Sequence, residues 1–388
     1  MSDENLENKV SRRQFGQSIG AMLAAAYVSP KLLQGVTGGR LKGFSRADAI
    51  LINSNENPYG PSPRAIAAIT GSETVACRYP DDLYARAIRS IANLHHVDPE
   101  NVALGCGSTE ILRVCDAAFV GPDKQLVVAE PTFEAVTYYA QVSRASAVKI
   151  PLTSDFRHNL PAMARAAANG VGLVYVCNPN NPTATINTRE EFVDFLPQVP
   201  ASTYVLVDEA YFHFVDDPHY ASVVDMIPDH PNLIVTRTFS KVYGMAGMRL
   251  GYAIAQKETI EAMHSELLFD NGNAAVLSAA VASLADADIV PTNKKRLNDT
   301  RKWVTSELTK SGYTVIPSQA NFFMVDTGND VKPVIEAFHE RKIIVGRKFP
   351  SMGNWLRVSV GKPKEMQEFL AAFRQIVPAA AKSAAAAA

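Results

Sequence analysis

Residues Thr238 to Tyr252 read TFSKVYGMAGMRLGY, just beyond the short apolar run Leu233 to Val235. A lysine at the mouth of a sheet is ordinarily solvated. Lys241 is instead followed by two glycines and, eight residues on, by Arg249. A partly desolvated lysine gives up its proton readily and becomes a nucleophile.

Comparable residues follow other apolar runs. Gly105-Cys106-Gly107-Ser108-Thr109-Glu110 opens a helical pattern. Free N–H groups at a helix start, with glycines and hydroxyls beside them, make an anion site. Taken alone, this is as well read as a helix cap. Phe133 follows another run, Asn181 stands in the turn-forming Asn178 to Thr183, and Asp208 and Tyr211 follow a third run. Thr238 and Ser240 flank the lysine. Each has a plain alternative: Phe133 as core, Asn181 as turn chemistry, Asp208 as a local cap, Arg249 as a surface ion pair.

Together they supply an anion cradle, an aromatic face, an amide, a carboxylate, a phenol, a lysine and an arginine. Pyridoxal 5′-phosphate uses such a set. Its phosphate needs N–H donors, hydroxyls and a cation. Its ring needs a stacking partner, its pyridinium a buried carboxylate, and its aldehyde a lysine. A nicotinamide dinucleotide would want GxGxxG after the first strand, and that pattern is absent.

Apolar runs at Asn101 to Leu104, Gln125 to Ala129, Gly172 to Cys177, Tyr204 to Val207, Leu233 to Val235 and Leu250 to Ala255 read as strands. Helical patterns such as Glu110 to Phe119 and Arg189 to Leu196 lie between many of them. Short apolar strands separated by helices predict an α/β fold, a mostly parallel sheet covered by helices. Ligands of such sheets sit beyond the carboxyl ends of the strands, where the residues above fall. After about Asp288 the texture changes. A long helical pattern, Asn293 to Ser311, precedes strand-like Tyr313 to Ile316 and Asn321 to Val325, a helix at Val331 to Arg341, strands at Ile343 to Val345 and Trp355 to Val360, and a last helix. This predicts a large cofactor-binding domain with its N-terminal arm over 49–288, a smaller α+β C-terminal domain over 289–378, and an alanine-rich tail over 379–388.

TFSKVYGMAGMRLGY, NPNNPT and VDEAYF resemble the class I/II, fold-type I aminotransferases, from about Ile52 to about Gly361. Asn53 to Gly60, Arg78-Tyr79-Pro80 and Leu356 to Gly361 resemble the histidinol-phosphate aminotransferase subfamily. The resemblance implies roles. Lys241 forms the Schiff base and acts as general base. Asp208 pairs with the pyridinium nitrogen, Tyr211 and Asn181 bond the phenolic oxygen, and Phe133 stacks on the ring. Ser108, Thr109, Thr238, Ser240 and Arg249 surround the phosphate, joined by Tyr79 from the neighbouring subunit of a homodimer with shared sites. Arg357 clamps the substrate carboxylate, with Asn57 and Arg347 as further substrate-binding candidates. The implied substrates are an amino donor, histidinol phosphate-like or aromatic, and a 2-oxo acid such as 2-oxoglutarate. Related sequences place an arginine directly after the valine of Ile344-Val345-Gly346-Arg347; here it stands one residue later. A decarboxylase, racemase or lyase on the same cofactor, or a non-catalytic cofactor-binding protein, uses much of the same set.

The 388 residues are 47% hydrophobic, enough for a large core. Thirty-eight basic residues against 39 acidic ones leave no field that suggests nucleic acid as a partner. No apolar run approaches the ~20 residues of a membrane span. The four cysteines form neither a CxxC pair nor a metal set. His95-His96 reads as a helix-to-strand loop, and Cys106 and Cys177 as small buried hydrophobes. Ser11-Arg12-Arg13-Gln14-Phe15, followed by a weakly apolar run ended by Pro30, resembles a twin-arginine export signal within residues 1–48. It predicts an exported, periplasmic location in place of a cytoplasmic one.

Overall fold

The computed structural model describes residues 48–168, 170–268 and 270–378. The segment before Asp48, where an export signal is expected, and the tail Ala379 to Ala388 lie outside the described residues. The described residues belong to one compact unit.

Among the described residues eleven strands run β1 Ile50–Ile52, β2 Val102–Gly105, β3 Gln125–Glu130, β4 Ala147–Pro151, β5 Val171–Cys177, β6 Tyr204–Asp208, β7 Leu233–Thr238, β8 Gly251–Ile254, β9 Phe322–Asp326, β10 Ile343–Val345 and β11 Trp355–Ser359. The helices are α1 Pro63–Gly71, α2 Asp81–His95, α3 Ser108–Phe119, α4 Ala135–Val142, α5 Leu160–Ala166, α6 Arg189–Phe195, α7 Lys257–His264, α8 Ala274–Leu284, α9 Ile289–Lys310, α10 Val331–Glu340 and α11 Pro363–Ile376.

Seven strands form one sheet in the order β2-β8-β7-β6-β5-β3-β4. All neighbours pair in parallel except β8, which is antiparallel to both β2 and β7. Two reversals leave β2 parallel to β7, so the expected mostly parallel sheet is present. The reversal of β8 has a functional consequence. Its first residue, Gly251, lies beside Gly105 and Thr238, the last residues of β2 and β7. Arg249, just before β8, therefore falls at the same edge as residues that follow the other strands.

Both faces of the sheet are buried, which is why the strands read as continuous apolar runs. Val174 and Val176 of β5, Val205 and Val207 of β6, and Leu233 and Val235 of β7 enter one core. Leu173, Tyr175 and Cys177, with Leu206 and Ile234, enter another. Alternation with period two sends successive side chains to opposite layers. Helix α6 begins where the sequence supplies a capping box: Glu191 N–H donates to Thr188 Oγ1, and Thr188 N–H to Glu191 Oε2.

The remaining strands form two small sheets. β1 pairs in parallel with β10, and β11 is antiparallel to β9. A strand of the N-terminal arm thus pairs with a strand from the segment after Asp288. Tyr313 to Ile316 is not a strand; it contributes a single bridge, Val315 to Val325. Strand β4 was not expected. Lys149 and Pro151 interrupt its apolar character, and both are tolerated because β4 is the sheet's edge. Among the described residues no single helix is long and apolar enough to cross a membrane.

Candidate active site

The carboxyl edge of the sheet gathers the expected residues. Gly107, which leads into α3, has φ +78°, and a Cβ there would lie 2.2 Å from Arg249 Nη2. A Cβ on Gly251 would lie 2.1 Å from Ser108 N. These two glycines let the arginine and the start of α3 close on one point. Arg249 Nη1 donates to Ala246 O at 3.0 Å and reaches Ser240 Oγ at 3.4 Å. Thr238 Oγ1 lies 2.9 Å from Ser240 Oγ and accepts from Ser240 N–H at 3.1 Å. A helix start with Ser108 and Thr109, two hydroxyls and a guanidinium make an anion cradle.

Asp208 ends β6 and is 3% exposed. Its Oδ2 accepts from Tyr175 O–H at 2.9 Å and its Oδ1 from Ala210 N–H at 3.1 Å. Burial raises its pKa to about 6, against the lowering effect of these donors and of Lys241. Its neighbour Glu209 raises it further, but Glu209 is itself met by Arg237 at 2.8 Å, by Ser222 Oγ at 2.9 Å and by Val223 N–H at 2.9 Å. Asp208 has donors and no cation of its own in hydrogen-bonding contact. That is the environment of a carboxylate that receives a cationic ligand.

Lys241 Nζ reaches Ser54 O at 3.4 Å and stands 5.4 Å from the centre of the Tyr211 ring. Its pKa falls to about 8, first through burial, then through the charge of Arg357, with Glu56 opposing. The Tyr211 hydroxyl oxygen accepts from Asn55 Nδ2 at 3.1 Å, and its ring meets Phe322 edge-on. Phe133 is half-buried against the core, with part of its ring open.

Arg357 comes from β11. Its Nη1 donates to Asn181 Oδ1 at 2.7 Å and its Nη2 to Asn53 O at 2.7 Å. Its buried Nε has no partner. Because Arg357 takes the Asn181 oxygen, the Asn181 Nδ2 remains as the donor of that amide.

The family description "Aminotransferase class I and II" matches residues 47–373. The chain belongs to the class I and II aminotransferases. It is 36% identical over 333 residues to a histidinol-phosphate aminotransferase of Moorella thermoacetica, covering 85% of this chain and 86% of that one. It is also 36% identical over 331 residues to an aromatic amino acid aminotransferase of Cutibacterium acnes, covering 85% and 93%. A crystal structure of a histidinol-phosphate aminotransferase from Sinorhizobium meliloti in complex with pyridoxal-5′-phosphate superposes with a TM-score of 0.81 at 25% identity, over 90% of this chain and 95% of that one. The protein is a pyridoxal-phosphate-dependent transaminase.

The aminotransferase's own residues fit that cofactor. The cradle of Ser108, Thr109, Thr238, Ser240 and Arg249 would hold its phosphate, and Asp208 its ring nitrogen. Phe133 would cover the ring, Asn181 and Tyr211 would donate to its phenolic oxygen, and Lys241 would bond its carbonyl carbon.

Other expected residues stand differently. The amide of Asn57 is committed on both ends, Nδ2 to Val242 O at 3.1 Å and Oδ1 from Tyr59 N–H at 3.0 Å. It ties the N-terminal arm to the Lys241 loop and so serves the site by position. Arg347 is paired with Glu134 at 2.6 Å. Tyr79 is 78% exposed. Cys106 is exposed, because it lies in the turn before α3; Cys177 is buried as expected. His95 is the last residue of α2, with Nε2 3.0 Å from Tyr252 O–H, and His96 caps that helix.

Sequence reasoning missed Tyr175, Asn55 and the Arg237–Glu209 pair. A phenol within the buried run VGLVYVC is the one signal that was available, since a buried O–H requires a partner.

Proposed function

We propose that this aminotransferase moves an amino group between a donor carrying an α-carboxylate or a phosphate, histidinol phosphate or an aromatic amino acid, and a 2-oxo acid such as 2-oxoglutarate. The observation that carries this reading is Arg357. Its guanidinium is held from both sides by Asn181 and Asn53, beside a lysine whose pKa its charge helps to lower. A guanidinium fixed in this way is suited to bidentate capture of a carboxylate.

Pyridoxal phosphate, when bound, supplies an electrophilic carbonyl and an electron-withdrawing ring. The protein does the rest. Asp208 keeps a negative charge at the base of the site. Arg357 would bind the substrate carboxylate in the cleft that also holds Lys241. With a pKa near 8, Lys241 Nζ takes up and returns a proton at physiological pH. The aromatic walls of Phe133, Tyr211 and Phe322 limit water.

The test is turnover of a donor panel with 2-oxoglutarate in wild-type and Arg357→Lys protein. The reading predicts that the variant raises KM for the 2-oxo acid by ~10–100-fold, because a point charge replaces a bidentate fork. An unchanged KM would contradict it.

We further propose a homodimer in which Tyr79 of each chain completes the partner's phosphate cradle. The exposure of Tyr79, with the exposed apolar residues Ile66 and Val75 nearby in sequence, supports this. The lobes 49–288 and 289–378 would flank each site. The Arg12-Arg13 pair supports export by the twin-arginine route. Export lost on replacing both arginines with lysine is the expected result; retained export would contradict it.

A further inference from the structure

The segment Gly346-Arg347-Lys348-Phe349 runs beside Arg357. Gly346 N–H donates to Arg357 O at 2.9 Å. A Cβ on Gly346 would lie 2.5 Å from Arg357 O and 3.0 Å from Arg357 Cβ. No side chain fits there without moving the clamp's backbone. Position 346 therefore cannot supply a second cation beside Arg357, and the next residue in the chain is the one that follows the clash.

That residue is Arg347, and it is not free. Its Nη2 meets Glu134 Oε2 at 2.6 Å, and its Nη1 donates to Lys348 O at 3.1 Å. Its guanidinium carbon lies 4.3 Å from the centre of the Phe349 ring; that of Arg357 lies 5.3 Å from the same ring. The two guanidiniums thus share one aromatic neighbour, and Phe349 is 2% exposed. The other basic side chain of the segment is also matched: Lys348 Nζ meets Asp330 Oδ2 at 2.6 Å. Glu134 directly follows Phe133, and its charge acts on Arg357 as well as on Arg347. Pair by pair the charges cancel, and Arg357 is left as the one cation of this cluster without a carboxylate. That matches a substrate with one carboxylate and no second anion.

We propose that Glu134 is a specificity-determining residue that, by holding Arg347, selects amino acid donors with an uncharged side chain over donors carrying a phosphomonoester. A phosphate at this point would have to displace the Glu134 carboxylate from Arg347 and then remain beside it. Specificity of this kind rests on repulsion of the wrong ligand as much as on attraction of the right one. The pair is partly solvated, so it adds little to stability. Its effect lies in the charge it removes from the cleft.

The inference rests on the proposed donor reading and refines it. The test compares kcat/KM for phenylalanine and for histidinol phosphate, each with 2-oxoglutarate, in cofactor-loaded wild-type, Glu134→Gln and Glu134→Gln/Arg347→Gln proteins. Wild-type protein is expected to prefer phenylalanine. Glu134→Gln is expected to shift the ratio toward histidinol phosphate by about tenfold or more, mainly through KM and with a steeper salt dependence. The double variant is expected to lose that gain, which a general loosening of the loop would not do. A wild-type preference for histidinol phosphate overturns the inference, as does an unchanged ratio in Glu134→Gln with normal cofactor absorbance. Turnover of neither donor by wild-type protein overturns the donor reading itself, and the inference with it.

Discussion

Tyr175 donates its phenolic proton to Asp208 Oδ2 at 2.9 Å from within the core of the sheet. The register explains the contact. Cys177 pairs with Asp208, so Tyr175 stands two residues back on the same face, a diagonal neighbour. The bond fixes the carboxylate that would face the cofactor's ring nitrogen. Replacing Tyr175 with Phe removes a hydrogen bond to a charged group, worth ~1.5–3 kcal/mol. Titration of the apoprotein with pyridoxal phosphate, followed by absorbance, should then show a ~10-fold or larger rise in Kd. An unchanged Kd would deny Tyr175 this positioning role.

Lys241 has its pKa lowered to about 8 by burial and by Arg357. Only the unprotonated amine attacks a carbonyl. The rate of cofactor uptake by apoprotein should therefore climb with pH and level off above about 8. Stopped-flow absorbance across this range checks the profile. Lys241→Ala should remove the pH dependence and lower turnover by ~10²–10⁴-fold or more.

Asp116 on α3 is fully buried, and neither carboxylate oxygen has a partner. Burial raises its pKa from 3.8 to about 8. The folded chain therefore holds this proton more tightly than the unfolded chain. Its contribution to stability is complete at pH below 3.8 and is lost as pH rises to about 8. Asp116→Asn keeps the shape and removes the charge. It should stabilise the protein at pH 8 by an amount on the order of a few kcal/mol and flatten the decline. Thermal melts at several pH values decide this; a lower melting temperature for Asp116→Asn at pH 8 would be the contrary result.

Gly107 has a backbone conformation, φ +78° and ψ 160°, that other residues adopt only under strain. A Cβ would also collide with the Arg249 guanidinium. Gly107→Ala should cost ~1–3 kcal/mol of stability and displace the arginine from the phosphate cradle. Calorimetry and cofactor titration should show both losses together. A stable variant with normal cofactor affinity would argue against the cradle.

Much of this was legible in the sequence because the sheet is buried on both faces. Apolar runs then mark strands, and the polar residues that end them mark a candidate site, so Asp208, Asn181 and Lys241 stood out as candidates from their neighbours. Strand β4 escaped notice because an edge strand keeps polar residues. Tyr175 was hidden inside a run whose pattern reads only as core. The Arg347–Glu134 pair joins residues 213 apart in sequence, and no local pattern encodes it. Asn57 carried the right type for a substrate contact, yet its amide is used by the local Tyr59 N–H and by Val242 O, which only the folded arm brings near.

The most direct measurement is a half-reaction. Cofactor-loaded protein is mixed with one amino donor and no acceptor, and absorbance follows the cofactor's passage from its pyridoxal to its pyridoxamine form. The account predicts conversion of one cofactor per chain, reversal on adding 2-oxoglutarate, and neither in Lys241→Ala. Absence of conversion with every amino donor, in protein that binds the cofactor normally, would contradict the assignment of Lys241 and Arg357 to amino transfer.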